Sequence, residues 1–566
     1  MATINFKGRE IVRNHHLTIP YHELVPDAKK SLSKKPSLND NLIIHGDNLL
    51  VLKALLPTYA GKVKCIYIDP PYNTKSQKWI YNDNVNSPMI KEWLKSVVDK
   101  DDLTRHDKWL CMMMPRLKLL RELLSEDGVI FASIDENEVQ HLRVLMDEIF
   151  DERNFISEFT WIRKKKGSFL SKKARKMTEY ILCYQKNENN SEFFGEKAYT
   201  DKWQPIVKRS NNEKELLFPK ETIATTLEDG IYKKGVFGES KTSVEFLKDF
   251  EVKDGLIVTE LKTKARYVWT QEFLDQELKK GSQVSLSRKF GFNVLRYDQK
   301  DKTKAPSSLI NKDNNVGTNE DATQEISQIF NTEVGEVFDY AKPVSLIKYI
   351  LNFVTTENDI ILDSFAGSGT TAQAVLELNK GDKKARKFIL VQLPEEVEKD
   401  TPAYKLGFRE IVDITAERVQ RVIKGAKDAK DENLQKGLGG SFSYYELGKP
   451  IDTERILKGK DLPTFAEMAR YIFYTATGEE FNGKKVNEKT GFIGGSKEYQ
   501  VYLLYKPDME YLKSTALTLE RAETLGKFTG KKRLVFAPAK YLDQEHLKRY
   551  NIDFAQLPFE IYQRIK

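Results

Sequence analysis

Apolar and polar positions change their period several times along the chain, and the changes predict its elements. "NLIIHGD" (41–47) is a short apolar run closed by Gly and Asp, which predicts a strand. "NLLVLKALLPTYAG" follows with leucines at helical spacing and predicts a helix ending near Pro57. A second apolar run, Lys64 to Ile68, leads into Asp69-Pro70-Pro71-Tyr72, where the prolines force the chain out of any central ladder. "KWLCMMMPRLKLLRELLSEDG" (108–128) predicts a helix stopped by Gly128, and "VIFAS" (129–133) a strand. "DENEVQHLRVLMDEIF" (135–150) predicts a helix opening on Asp135. Alternation of this kind indicates a mostly parallel sheet covered by helices on both faces.

From about 155 to 300 the pattern dissolves into short β-like runs such as "EYILCYQ" (179–185) and "GIYKKGVFG" (230–238), with no internal repeat. The polar, turn-rich stretch 302–325 reads as a loop or linker. Alternation then returns: a helix from Val344, the strand "DIILD" (359–363), a helix from Thr370, the strand "KFILVQL" (387–393) and a helix from about Phe408 to Ile423. The Gly-rich "KGLGGS" near 436–441 opens a lysine-rich end. These signals divide the chain into an N-terminal arm (1–40), a first α/β half (41–155), an insert and linker (156–330), a second α/β half (331–430) and a C-terminal α+β segment (431–566).

At 566 residues the chain is too long for one core, and roughly three or four domains are expected. Its composition, 40% hydrophobic and 31% charged, is that of a globular protein. No run approaches the roughly 18 apolar residues of a membrane span. The N-terminus carries no apolar signal core, so a cytoplasmic protein without membrane partners is expected. Cys65, Cys111 and Cys183 are far apart and the seven histidines are scattered, which argues against a disulfide framework or a zinc site. The net charge of +8 is unevenly spread: "RKKKGSFLSKKARK" (163–176) holds eight basic residues and no acidic one. Such a run is either a solvated face or a contact for a polyanion.

Two stretches carry candidate chemistry. The first is Asp69-Pro70-Pro71-Tyr72: a carboxylate, a stiff backbone and an aromatic ring at the end of a buried strand. An ordinary strand-ending turn is the bland alternative. The second is "ILDSFAGSGTTAQAVLEL" (361–378), a strand ending at Asp363, a glycine turn and a helix start. Gly367 and Gly369 let backbone pass close to a ligand at a helix N-terminus. The lysine of a phosphate loop is absent, and a dinucleotide fingerprint is matched only loosely.

Together the two stretches resemble the catalytic tetrapeptide and the FxGxG cofactor loop of DNA amino-methyltransferases. The catalytic half precedes the cofactor half, as in the β-class order. "HGDNLLVLKAL", "SIDENE" (133–138), "EYILCYQKN" (179–187), "AKPVSLIKYIL" (341–351) and "FILVQLPE" (388–395) further resemble modification (Mod) subunits of type III restriction–modification systems. The likeness runs over roughly 40–450 and is weakest in 200–300.

The resemblance implies a Rossmann-like fold dependent on S-adenosylmethionine, with 41–155 the catalytic half, 156–330 carrying target recognition and 331–430 the cofactor-binding half. It implies methylation of adenine N6 in duplex DNA by a homodimer partnered with a Res helicase–nuclease. Cytosine-N4 methylation and a catalytically silent DNA-binding subunit are the alternatives. Asp69 and the Pro70 carbonyl would accept from the exocyclic amine, Pro71 would stiffen the turn, and Tyr72 would stack on a flipped base. Phe365, Ala366, Gly367, Gly369 and Thr370 would line the methionine moiety, with Asp363 and Lys342 in the same cleft. Asp47 would meet the cofactor's adenine amine, or simply cap the next helix. Gln392 stands where many relatives have an acid for the ribose, leaving Gln392 or Glu395 to take that role. A sulfonium leaving group implies no metal. Lys164, Lys165, Lys166, Lys172 and Lys173 would contact DNA phosphates. Trp161, Phe169, Trp203, Arg288, Arg296 and Tyr297 suit phosphate or base contacts, whereas Tyr67 and Trp79 read as packing residues.

Overall fold

The computed structural model describes residues 3–73, 105–167, 172–189, 192–195, 203–238, 242–297, 304–338, 340–451, 462–479, 481–525 and 530–557. It forms two compact units: Met1–Ser191 with Ser307–Lys566, and Glu192–Pro306.

The larger unit is built on ten strands: β1 Tyr21–Asp27, β2 Leu42–His45, β3 Val63–Ile68, β4 Leu124–Ile134, β5 Phe155–Ile162, β6 Thr178–Gln185, β7 Leu309–Ile310, β8 Ile360–Asp363, β9 Lys387–Gln392 and β10 Ser443–Ile451. They lie side by side in the order β1-β10-β2-β9-β8-β3-β4-β6-β5-β7. The five from β2 to β4 run parallel. β8 and β9, from late in the chain, are thus inserted between β2 and β3 from its beginning. Ile43, Ile66, Leu362 and Leu390 have essentially no exposed surface, which is why these strands read as unbroken apolar runs.

Helices α1 Asn48–Tyr59, α2 Arg105–Leu123, α3 Val139–Phe150, α4 Asn319–Phe330, α5 Val344–Val354, α6 Thr370–Asp382, α7 Ile411–Lys424 and α8 Phe465–Thr477 are the main helices of this unit. α1 runs past Pro57, because a proline in the last turn removes a single hydrogen bond. β4 starts at Leu124, paired to Val63, so "LSEDG" is strand rather than helix end. α3 starts four residues later than expected: Asp135 accepts from the Asn137 amide at 2.9 Å and closes a turn first. The stretch 302–325 is not all loop. Thr318 and Asp321 form a capping box that starts α4, and the apolar face that reveals this helix (Ile326, Ile329, Phe330) lies beyond that window.

The expected segment boundaries shift accordingly. Residues 156–191 and 307–330 belong to the larger unit, since β5, β6 and β7 complete its sheet, and the insert narrows to Glu192–Pro306. The N-terminal 40 residues supply an edge strand, β1, antiparallel to β10. β10 pairs parallel to β2, so the C-terminal segment also enters the main sheet. Beyond it, Phe492–Gly495, Tyr499–Leu503, Lys532–Ala537 and Ile552–Gln556 make a separate four-stranded sheet. Tyr471 of α8 packs on Tyr21 of β1 with ring centroids 4.6 Å apart.

The described residues of the smaller unit form short strands in a seven-stranded and a four-stranded sheet, with one helix, Gln271–Lys279. Its core is aromatic: Phe218 stacks on Phe292 at 5.0 Å and Phe246 on Phe250 at 4.9 Å.

Candidate active site

The five parallel strands from β2 to β4 end on one edge of the sheet, and each presents a polar residue there: Asp47 after β2, Gln392 ending β9, Asp363 ending β8, Asp69 after β3 and Asp135 after β4. Neighbouring parallel strands therefore place the two turns side by side, although 273 residues separate Asp69 from Lys342, its nearest cation.

The Asp69–Tyr72 turn is held by charge. Lys342 Nζ lies 2.7 Å from Asp69 Oδ2 and 3.5 Å from Glu179 Oε2, and the Tyr72 hydroxyl donates to Asp69 Oδ1 at 2.7 Å. Tyr72 is buried, with its hydroxyl 3.2 Å from Glu179 Oε2 and Lys342 Nζ 4.9 Å from its ring centroid. Arg163 completes the chain with a 2.8 Å bond to Glu179. Burial pulls the Lys342 ammonium down, but Asp69 and Glu179 outweigh it and hold the group above its ordinary value. Burial, reinforced by Asp69 and Glu179, pushes the Tyr72 phenol well up. The backbone is fixed from α2, where the Trp109 indole donates to the Pro71 carbonyl at 2.6 Å.

The glycine turn is held mainly by its own polar atoms. Asp363 accepts from the Phe365 amide at 3.0 Å and the Thr371 hydroxyl at 2.6 Å. Burial pushes its carboxyl up to about 7 against those bonds. Gly367 has φ 50° and Gly369 φ 81°, a region open mainly to glycine. A Cβ on Gly369 would also press on Thr415 of α7 at 3.2–3.3 Å. Gln392 accepts from the Gly367 amide at 2.8 Å, and Thr415 donates to the Gly367 carbonyl at 2.5 Å. Arg418, fully buried, reaches Ser368 Oγ at 2.8 Å and Thr370 Oγ1 at 2.9 Å. Ala366 donates to the Val391 carbonyl at 3.1 Å. Gln392 therefore serves the turn itself.

Asp47 caps α1, accepting from the Leu49 amide at 2.8 Å, and pairs with Arg116 at 3.3 Å. Asn48 donates to the Ser364 carbonyl at 2.9 Å and accepts from Arg116 at 2.5 Å. The helix cap and the cleft position are thus the same place. Glu179, Trp109, Arg116, Thr415 and Arg418 escape a reading of the sequence. "EYILCYQ" signals only a strand, and a single arginine or tryptophan inside a helix signals nothing.

The basic run lies in the connection between β5 and β6, within the larger unit rather than in the insert. Lys166, Lys172 and Lys173 are exposed and Lys164 half-buried, whereas Lys165 pairs with Asp321. Trp161 is fully buried in β5 and donates to the Gly317 carbonyl at 3.1 Å, so it packs rather than reads bases. Arg296 is committed to the buried Glu277 by bonds of 2.7 and 2.8 Å. Arg288 donates to the Thr226 carbonyl at 3.2 Å, while Trp203 and Tyr297 are exposed. Tyr67 is buried with its hydroxyl 2.8 Å from Ser133. Trp79 and Phe169 lie outside the described residues.

A parallel sheet with a carboxylate–tyrosine turn beside a glycine turn is the layout of a DNA methylase. The DNA methylase family model matches residues 63–401, and the chain belongs to that family. The Mod subunit of the type III restriction–modification enzyme EcoPI, from Escherichia phage P1, is 31% identical over 80% of this chain and 73% of its own length. The StyLTI Mod subunit of Salmonella typhimurium is 30% identical over 83% of this chain and 70% of its own. The type II methyltransferase M.KpnI of Klebsiella pneumoniae is 31% identical over 73% of this chain and 95% of its own. Among the described residues no helix is long and apolar enough to cross a membrane.

Proposed function

We propose that the chain methylates the exocyclic N6 of adenine in duplex DNA, as the modification subunit of a type III system. One observation carries this: Asp69, with Tyr72 and Lys342, stands beside the Gly367–Gly369 turn on adjacent parallel strands. S-adenosylmethionine supplies an electrophilic methyl when bound. The chain's donors fit that group. A left-handed glycine turn at the start of α6 lets a ligand come close to the backbone, and the carboxylates along the edge suit its ammonium and sulfonium. Phe365, Ala366, Gly367, Gly369 and Thr370 would hold the methionine end, and Asp47 the adenine end, with Glu395 the acid left for the ribose.

Asp69 works as a fixed acceptor. Lys342 balances its charge, and an incoming amine exchanges for the Tyr72 hydroxyl on Oδ1, which releases the ring to turn towards the base. Acceptance by Asp69 and the Pro70 carbonyl holds the amine lone pair towards the methyl, a positioning and electrostatic effect. The lysines between β5 and β6 supply phosphate contacts.

The likeness to Mod subunits supports a Res nuclease partner, and a homodimeric modification unit is proposed with it. The equal identity to M.KpnI, over nearly all of that protein, favours a second reading in which the chain acts alone. Label transfer from S-adenosylmethionine to duplex DNA, followed by nucleoside analysis, tests the activity and the base: N6-methyladenine is expected, and N4-methylcytosine or no transfer overturns it. Co-purification with the product of an adjacent nuclease gene separates the two assembly readings.

A further inference from the structure

One buried acid beside the catalytic turn has no part in the chemistry above. Glu138 ends the Asp135 turn, precedes α3 and has no exposed surface. Each of its oxygens faces an imidazole: His106 Nδ1 lies 2.7 Å from Oε1 and His141 Nδ1 2.7 Å from Oε2. The side-chain amide of Asn73, the residue after Tyr72, bonds Oε1 as well. Two ring nitrogens and a carboxylate oxygen lie within 4.8 Å of one another. Histidines scattered in sequence are thus gathered in space, His106 from the first turn of α2 and His141 from α3.

A carboxylate withdrawn from water is costly unless its charge is met. Among the described residues, the side-chain partners of Glu138 are two imidazoles and one amide, not a lysine or arginine. We propose that His106, Glu138 and His141 bind a first-row divalent cation, zinc in the first instance. Two imidazoles and one carboxylate are a zinc donor set, whereas magnesium and calcium take oxygen ligands. The side chains of His106 and His141 are 42% and 28% exposed, which gives the ion a way in, while Glu138 forms a fixed floor. With zinc–ligand bonds of about 2.0–2.2 Å, the ligands must spread by roughly half an ångström, which rotation of the exposed rings allows. Asn73, its amide turned, or a water takes the fourth position. Such an ion would pin the chain just after Tyr72, through the bond from Asn73 to Glu138. Its role is positional, since it touches none of the reacting atoms.

The test uses untagged full-length protein, stripped with a chelator, desalted, and titrated with Zn²⁺ and separately with Co²⁺. One equivalent of zinc retained through gel filtration is expected, together with the intense visible absorption of tetrahedral cobalt. Both should vanish in the His106→Ala/His141→Ala double variant, whose fold is checked by circular dichroism. Should that variant not fold, His106→Gln alone, at the more exposed ring, is expected to weaken zinc about 10-fold or more. Zinc should raise the melting temperature of the wild type and leave the double variant's unchanged. Wild type that retains no more zinc than a folded variant, or cobalt that stays octahedral, overturns the proposal and leaves a hydrogen-bonded hub.

Discussion

The two turns at the active edge achieve rigidity in opposite ways. Asp363–Thr371 is closed largely by itself: both Asp363 oxygens bond within the turn, and Gln392, Thr415 and Arg418 brace it from the next strand and helix. Asp69–Asn73 is closed by remote charge, from Lys342 ahead of α5, Glu179 in β6 and Glu138 before α3. Under the proposed roles, the turn that would hold a cofactor is a fixed cradle, and the turn that would admit a base is tied by bonds that can be exchanged one at a time.

The largest effect is expected at the exchanged bond. Asp69→Ala should lower methyl transfer to about 1% of wild type or less, the scale of losing a preorganised acceptor worth ~2.7–4 kcal/mol. DNA binding should stay within a few fold by gel shift. Activity well above that level would mean that the charge network, not Asp69, positions the amine. Gly367→Val attacks the cradle instead. Valine disfavours a φ of 50°, and the bond to Gln392 should go with it, so calorimetry is expected to show S-adenosylmethionine binding abolished. Unchanged affinity would remove this turn from the cofactor site.

Both turns are legible in the chain because each is a contiguous run whose residue types restrict the backbone: two prolines in one, two glycines in the other. What holds them is not legible. Glu179 lies 107 residues from Tyr72, and only the order of strands brings them together. Asp47 is readable both as a cap and as a cleft residue because both follow from one place, the end of β2. Gln392 is readable by its place at the end of β9, but the bond of its side chain to the Gly367 amide is not. The register of β4 and the start of α4 are hidden by polar stretches, "LSEDG" and 302–325, whose partners lie elsewhere in the sheet or helix layer.

Three smaller effects sharpen the contrast. Replacing Lys164, Lys165, Lys166, Lys172 and Lys173 by alanine should weaken binding to all DNA sequences and flatten its salt dependence, by about 0.9 in log–log slope for each phosphate no longer neutralised. Lys165→Ala alone should contribute least, because Asp321 already holds that ammonium. An unchanged slope in the five-fold variant would make the run a solvated loop. Glu179→Gln should lower the methylation rate about 10-fold through loosened Tyr72 and Lys342, with cofactor affinity unchanged. Equal losses in both would mean a general structural role.

The smallest effect concerns stability. The Asp363 carboxyl, pushed up to about 7 in the folded chain, binds a proton there that the unfolded chain releases at its ordinary lower value. Stability from this group is therefore present at lower pH and is lost as pH rises through about 7. Between pH 6 and pH 8 the loss should be about 1 kcal/mol. Denaturation of Asp363→Asn compared with wild type should show that slope in the wild type only.

The interleaving of β8 and β9 between β2 and β3 sets a timetable for synthesis. β2 and β3 leave the ribosome by residue 68 and have no direct pairing with each other, since the strands that lie between their facing edges are encoded at 360–392. At about 5–20 residues per second, two greasy strand edges wait roughly 15 to 60 s for the segments that separate and seal them. During that interval the nascent chain is a client for holding chaperones, and pairing of such distant parallel strands is intrinsically slow. The Glu192–Pro306 unit, compact in its own right, is made within that interval and can fold while the main sheet of the larger unit stays open at its centre.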